Sequence, residues 1–289
     1  MRIATRGSAL ALTQARWVAE RLGGAELVEA SSDGEPGDKS RFVRGVERAL
    51  LAGEAEIGVH SAKDLPGEMP EGLEIAAVPK REDPADAWIG IGSSLDEVPE
   101  GARVGTASLR RRAQLLAARP DLRVEELHGN VDTRLRKLAE GELDAIVLAA
   151  AGLRRLGREE EIGFRLPVEQ MCPAAGQGAL ALQVRADDEA AGDAVASVND
   201  LSAMRELTAE RTVVALLQAT CNTPLGVHAR IEGMALAIDA FVGLPDGSEW
   251  LRDRLEGRTE EPSLAGAELA QRLLGAGARE ILDRAEAQS

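Results

Sequence analysis

Residues 102–118, ARVGTASLRRRAQLLAA, hold a short alternating strand, a small polar loop and the start of a helix. With Ser108 as N-cap, Arg110, Arg111 and Arg112 fall in the first helical turn. Cations are disfavoured there by roughly 0.3–1 kcal/mol each, because free N–H groups and the macrodipole already make that end positive. An anion at the same terminus reverses the sign. Backbone donors, the hydroxyls of Thr106 and Ser108 and a guanidinium fork can then converge on one carboxylate or phosphate. The plain alternative is a set of arginines pointing into solvent.

The layout occurs elsewhere. RIAT (2–5) reads as a strand and Ser8 as the cap of the helix ALALTQARWVAERL, which stops at Gly23-Gly24. SSDGEPGDKS (31–40) has no apolar residue and reads as a mobile surface loop before the helix RFVRGVERALLAG. AEIGVHSA alternates into a second strand that ends at KDLP, GNVDTRLRKLAEG reads as a helix, and LDAIVLAAAGL (143–153) reads as one continuous buried strand of the parallel kind. Alternating strands and helices make the first two thirds α/β. KREDPAD (80–86) is a charged, proline-containing hinge candidate, and SVND (197–200) marks a second break. Beyond it come an amphipathic helix over 201–218 with Met204, Leu207, Val214 and Leu217 on one side, two alternating strands, a turn at Pro245-Asp246-Gly247 and a last helix over 263–285. Those elements suggest a small α+β domain.

A chain of 289 residues exceeds one compact core. The N-terminus lacks a signal-peptide h-region and no run approaches the roughly 18 apolar residues of a membrane span, so a cytoplasmic, membrane-free protein is expected. Two cysteines 49 positions apart and three scattered histidines fit neither a disulfide framework nor a metal site. A net charge of −15 argues against duplex nucleic acid as a partner. Within that acidic chain, residues 103–123 hold six arginines against the single acid Asp121, which points to a small anionic ligand or, equally, to a solvated basic surface.

Other cations stand at element ends: Arg6 before a capped helix, and Lys39, Arg134 and Arg155 near others. HSAKDLP (60–66) sets Lys63 beside Asp64 where a strand leaves the sheet, the edge at which α/β folds place ligands. Asp64 could stabilise a positive charge formed during reaction, or be an ordinary turn aspartate. Cys221, in QATCNTPLGVHA (218–229), lies in a polar turn where a thiol can meet an electrophile and form a hydrolysis-resistant thioether, or can pack beneath the turn. Cys172 reads as structural.

Taken together, RIATRGSALAL, HSAKDLP, REDPADA, GTASLRRR, GNVDTRL, DAIVLAAAGLRRLG, PAAGQGAL, TAER and CNTPLG, in that order and from residue 2 to about 285, resemble the porphobilinogen deaminase (hydroxymethylbilane synthase) family. The resemblance implies two α/β domains like those of periplasmic binding proteins, at 1–82 with 178–197 and at 83–177. The active cleft lies between them, and a third α+β domain at 198–289 carries the cofactor cysteine. It implies a dipyrromethane cofactor held by a thioether to Cys221. It also implies stepwise condensation of four porphobilinogen molecules with loss of ammonia through an azafulvene, then hydrolytic release of 1-hydroxymethylbilane by a monomer. Asp64 matches the catalytic aspartate. Arg6, Ser8, Ser61, Lys63, Thr106, Ser108, Arg110, Arg111, Gly129, Asn130, Arg134 and Arg155 match cofactor- and substrate-binding positions, Lys39 a loop lysine at the cleft mouth, and Gln177 the second domain crossing.

Three departures stand out. His128 replaces the arginine usual before GNV, which implies a weaker, pH-dependent carboxylate partner. Ala219-Thr220 precede Cys221 where glycine is common, and the loop over 32–42 is shorter than the family's mobile loop. Two competing readings remain: a non-catalytic anion-binding protein on the same scaffold, and a cysteine-nucleophile transferase or hydrolase with His228 as base.

Overall fold

The structure, a computed structural model, describes residues 1–31, 40–220 and 222–288, with backbone alone at 40–42. Lys39, the expected mobile loop and Cys221 lie outside the described residues. In chain order the elements begin with β1 (Arg2–Thr5), α1 (Ala9–Arg21), β2 (Glu26–Glu29), α2 (Ser40–Leu51), β3 (Ile57–Ser61) and β4 (Leu73–Ala77). Next come β5 (Asp86–Gly90), β6 (Arg103–Gly105), α3 (Leu109–Ala118), β7 (Arg123–Glu125), α4 (Val131–Ala139), β8 (Ala145–Ala149), α5 (Ala150–Arg155) and β9 (Phe164–Leu166). The chain returns through β10 (Leu180–Arg185) and α6 (Glu189–Ala196) and ends with α7 (Leu201–Leu216), β11 (Leu225–Glu232), β12 (Ala235–Gly243), β13 (Trp250–Arg258), α8 (Pro262–Gly275) and α9 (Ala278–Glu286).

Two five-stranded sheets share one plan. The first runs β2-β1-β3-β10-β4 and the second β7-β6-β8-β5-β9. In each, one inner strand runs antiparallel to its neighbours, β10 against β3 and β4, and β5 against β8 and β9. Because β10 belongs to the first sheet, the chain crosses between lobes twice, near residues 78–86 and 171–179. Ile3, Val18, Ile57, Val59, Leu182 and Val184 fill the first core, while Trp88, Val104, Leu115 and Val147 sit in the second. The third domain packs α7, α8 and α9 on the antiparallel sheet β11-β12-β13.

Two elements differ from the sequence reading. The run 143–153 is not one strand: β8 stops at Ala149 and Ala150–Arg155 is helical, as expected of an alanine-rich stretch without β-branched residues. Moreover, β8 is parallel to β6 but antiparallel to β5. The last helix is two, broken before α9 at Gly277, whose φ of 97° is left-handed.

The crossings are packed where only glycine fits. A Cβ on Gly176 (φ 72°) would lie 2.9 Å from the Lys63 backbone nitrogen, and one on Gly178 (φ 87°) would lie 2.2 Å from the Glu82 carbonyl oxygen. Beside them Glu210 of α7, fully buried, receives Arg81 Nη1 at 2.7 Å and Nη2 at 3.2 Å, Gly176 N at 2.6 Å and Ala229 N at 2.7 Å. Burial favours its neutral form, but Arg81 and His228 overcome that and hold the carboxyl below its usual range. One carboxylate thus ties both crossings to the third domain. Glu210→Gln removes the charge closest to Arg81, leaving only the longer 3.6 Å pair with Glu206, and sets an amide N–H against one of the two backbone donors. Urea titration should show a loss of roughly 3–5 kcal/mol, and a loss under about 1 kcal/mol would show that the cluster does not brace the crossings.

Candidate active site

The end of β3 carries the acid. Ser61 Oγ donates to Oε1 of buried Gln14 at 3.1 Å, and the single turn Ala62–Asp64 then turns the chain so that Arg6 Nη1 donates to Asp64 Oδ2 at 3.1 Å. Arg6 is held close by local structure: Ser8 Oγ accepts from Ala11 N at 3.3 Å and caps α1, as the sequence implied. In the second lobe, Ser108 caps α3 by accepting from Arg111 N at 3.4 Å, and Thr106 Oγ1 accepts from Ser108 N at 3.2 Å. Asn130, after Gly129, caps α4 through Thr133 N at 2.9 Å and so sets the face that carries Arg134.

These elements meet at a cleft of about 100 Å³ lined from one lobe by Leu10, Gln14, Ser61 and Lys63 and from the other by Arg111, Arg134, Leu148 and Arg155, with Gly176 and Gly178 of the return crossing. Among the described residues, the lining contains four cations and no acid. Burial and the Arg111 guanidinium push the Lys63 ammonium down to about 8. Burial likewise lowers Arg134 and Arg155 to about 10. Arg155 Nη2 donates to the Gly178 carbonyl at 2.7 Å, whereas Arg134 Nε is buried without a hydrogen-bond partner among the described residues. A buried guanidinium edge of that kind calls for an anion.

Arg110 stands apart from its expected place. It does not line the cleft; its Nη1 donates to Asp86 Oδ2 and to the Cys172 carbonyl, both at 2.7 Å. Gln177 is fully buried at the crossing, where Nε2 donates to the Pro84 carbonyl at 2.7 Å and to Asp86 Oδ1 at 3.0 Å, and Oε1 has no partner among the described residues. His128 is 69% exposed, with Nε2 3.2 Å from Glu126 Oε2, on the turn before α4. His228 is buried with Nδ1 3.5 Å from Glu210, which makes it part of the crossing cluster and a poor candidate for a mobile base. On either side of Cys221 in the sequence, Thr220 N donates to Thr223 Oγ1 at 2.8 Å and Thr223 N to the Thr220 carbonyl at 3.1 Å. Sequence reasoning missed Asp86, Gln14 and Glu210. An acid opening an otherwise apolar strand, DAWIG, was the available signal for the first.

Two α/β lobes around a cationic, acid-free cleft, with a third domain braced against both crossings, make a two-lobed protein suited to a small polyanion. Residues 1–193 match the porphobilinogen deaminase dipyromethane cofactor binding domain, and residues 204–275 match the porphobilinogen deaminase C-terminal domain. A porphobilinogen deaminase of Syntrophus aciditrophicus is 45% identical, covering 99% of both chains. One of Brevibacillus brevis is 43% identical over 97% of this chain and 96% of that one. Similar solved structures include a TRAP periplasmic solute binding protein from Desulfovibrio salexigens, 13% identical over 71% of this chain and 72% of that one, with a TM-score of 0.41. The chain belongs to the porphobilinogen deaminase family, and with it to the transferases that carry a dipyrromethane cofactor. No described helix is long and apolar enough to cross a membrane.

The cleft fits that cofactor. A dipyrromethane bears several carboxylates on flat apolar rings, and the lining pairs Lys63, Arg111, Arg134 and Arg155 with Leu10, Val131 and Leu148. The unpartnered Arg134 Nε is an open donor for one of those carboxylates.

Proposed function

We propose that this chain is a hydroxymethylbilane synthase in which Cys221 holds the dipyrromethane, Asp64 is the catalytic carboxylate, and the cleft between domains at 1–82 with 178–197 and 83–177 binds the growing chain. The observation that carries this reading is the cleft lined by four cations and, among the described residues, no acid, with Asp64 next to Lys63 on the turn after β3 and paired to Arg6, which follows β1. The bound cofactor supplies the nucleophilic pyrrole carbon at which each porphobilinogen is added. Lys63, Arg111, Arg134 and Arg155 orient acetate and propionate groups. Asp64 accepts pyrrole N–H bonds and stabilises the positive charge that develops as porphobilinogen loses ammonia, while Arg6 fixes its orientation. Ser8, Ser61, Thr106, Ser108, Gly129 and Asn130 set the helix ends and turns that aim these groups. Lys39 belongs to the cleft mouth in this reading, and the third domain at 198–289 carries the thioether. The protein is taken as a cytoplasmic monomer, which light scattering on the purified protein checks. The deciding experiment is intact mass: an increment of two pyrrole units, then a ladder of one to four further units with limiting substrate. Protein at the bare sequence mass that forms no adduct with porphobilinogen would refute the reading.

Lys63 gives a pH dependence. Its charged form holds carboxylates below pH about 8, and the charge is lost above it; Asp64 and Asp86 favour the charged form, Arg110 and Arg111 oppose it, and Arg134 and Arg155 share the lining. Bound carboxylates move the transition upward. The expected result is a fall of kcat/KM for porphobilinogen above about pH 8, displaced upward by about one unit or more in Lys63→Arg. Superimposable alkaline limbs in parent and variant would remove Lys63 from the binding set.

A further inference from the structure

Asp86 opens β5 directly after the first crossing, and its side chain is 0% exposed. It does not line the cleft, yet three side chains converge on it. Arg110 donates from Nη1 at 2.7 Å and Nη2 at 3.2 Å, and Gln177 from Nε2 at 3.0 Å. Arg111 donates from Nε at 2.9 Å, with its Nη2 2.8 Å from Asp86 Oδ1. Burial alone would raise this carboxyl, but Arg110, Arg111 and the hydrogen bonds hold it far below the usual range.

Arg110 gives its bonds to Asp86 and the Cys172 carbonyl, whereas Arg111 is shared between Asp86 and the cleft. Of its five N–H groups, that of Nε and one on Nη2 face Asp86 and one on Nη1 faces the Val147 carbonyl at 2.9 Å, while Arg111 also lines the cleft. One carboxylate against two guanidiniums leaves one net positive charge, and a buried arginine in the first turn of α3 would otherwise meet an unfavourable helix dipole. Asp86 removes part of that penalty and fixes the plane of the fork.

We infer that Asp86 is a positioning residue for the anion-binding cleft: from behind, it clamps Arg111 so that the remaining guanidinium hydrogens meet a substrate carboxylate already oriented. The inference rests on the reading of the cleft given above. An oriented fork acts on substrate in the ground state and the transition state alike, so losing the clamp weakens binding more than it slows the chemical step. Gln177, held by the same oxygen, places the clamp at the joint between the lobes.

The test uses cofactor-loaded protein. Asp86→Asn should keep the two-pyrrole mass increment and hold kcat within about threefold, while KM for porphobilinogen rises about tenfold. The Nε–H resonance of Arg111, identified by its loss in Arg111→Lys, should exchange faster with solvent. Asp86→Asn combined with Arg110→Gln returns the cluster to the parent's single net positive charge, so it guards against a mere failure to fold and should show the same rise in KM. Asp86→Glu should recover part of the lost affinity. An unchanged KM in either folded variant, with only a lower melting temperature, would make Asp86 a structural ion-pair partner and overturn the inference. A parent protein without the mass increment fails the cleft reading itself, an outcome separate from any effect at Asp86.

Discussion

Cys221→Ser should yield protein at the bare sequence mass, with turnover at background, whereas Cys172→Ser keeps both the two-pyrrole increment and activity. The two thiols differ in kind. Cys172 is 1% exposed between Ala113 and Phe241, its Sγ lies 3.5 Å from the Asp239 carbonyl, and burial pushes it up to about 12 against the pull of Arg110 and Arg252. A thiol held protonated in that way neither attacks an electrophile nor meets one. Cys221 follows Thr220, whose backbone N donates to Thr223 Oγ1, in the sequence just ahead of β11. A serine hydroxyl there has the same reach but far weaker nucleophilicity, and without the anchored dipyrromethane there is no pyrrole carbon to extend. Peptide mass mapping decides the point: an increment found on a peptide other than that of Cys221 would reject the assignment.

Much of the fold was legible because its signals were local. Ser8, Ser108 and Asn130 each cap a helix, and the strand-loop-helix units at both lobe starts follow from caps and apolar runs. What escaped were elements without such signals. β7 has three residues, and β13, WLRDRLEGR, is an edge strand whose charges hide its alternation. The site divides in the same way. Lys63, Arg111, Arg134 and Arg155 were read as cations at element ends, and the fold brings them to one cleft. That Arg110 turns inward could not be read from the sequence, because it depends on Asp86, 24 positions earlier, arriving beneath α3 through the pairing of β5 with β8. His128, whose place in the motif suggested a ligand contact, is exposed beside Glu126 on the turn before α4.

Asp64→Asn is expected to lower kcat by roughly 10²–10³-fold while leaving the cofactor increment in place. The side chain sits 3.1 Å from Arg6 Nη1, at the end of a strand whose neighbouring Ser61 and Lys63 line the cleft. Asparagine keeps the shape and can accept from the same guanidinium, so the fold and the anion-binding residues stay as they are. What disappears is a full negative charge beside Arg6 and Lys63. An acid beside a cationic cleft does not help bind carboxylates; it opposes them. Its retention makes chemical sense only if positive charge develops on the substrate during reaction, when the interaction changes from neutral or repulsive to attractive and so acts in the transition state rather than on binding. KM should therefore change little or fall slightly, because one repulsive charge has been removed. The charge is also the feature that a binding protein on this scaffold would have no use for. Single-turnover measurements on loaded protein separate the steps: the first addition should slow in proportion to kcat, with substrate capture unaffected. Turnover within about threefold of the parent, or a loss confined to KM, would show that Asp64 serves Arg6 as a structural partner and that the developing charge is stabilised elsewhere.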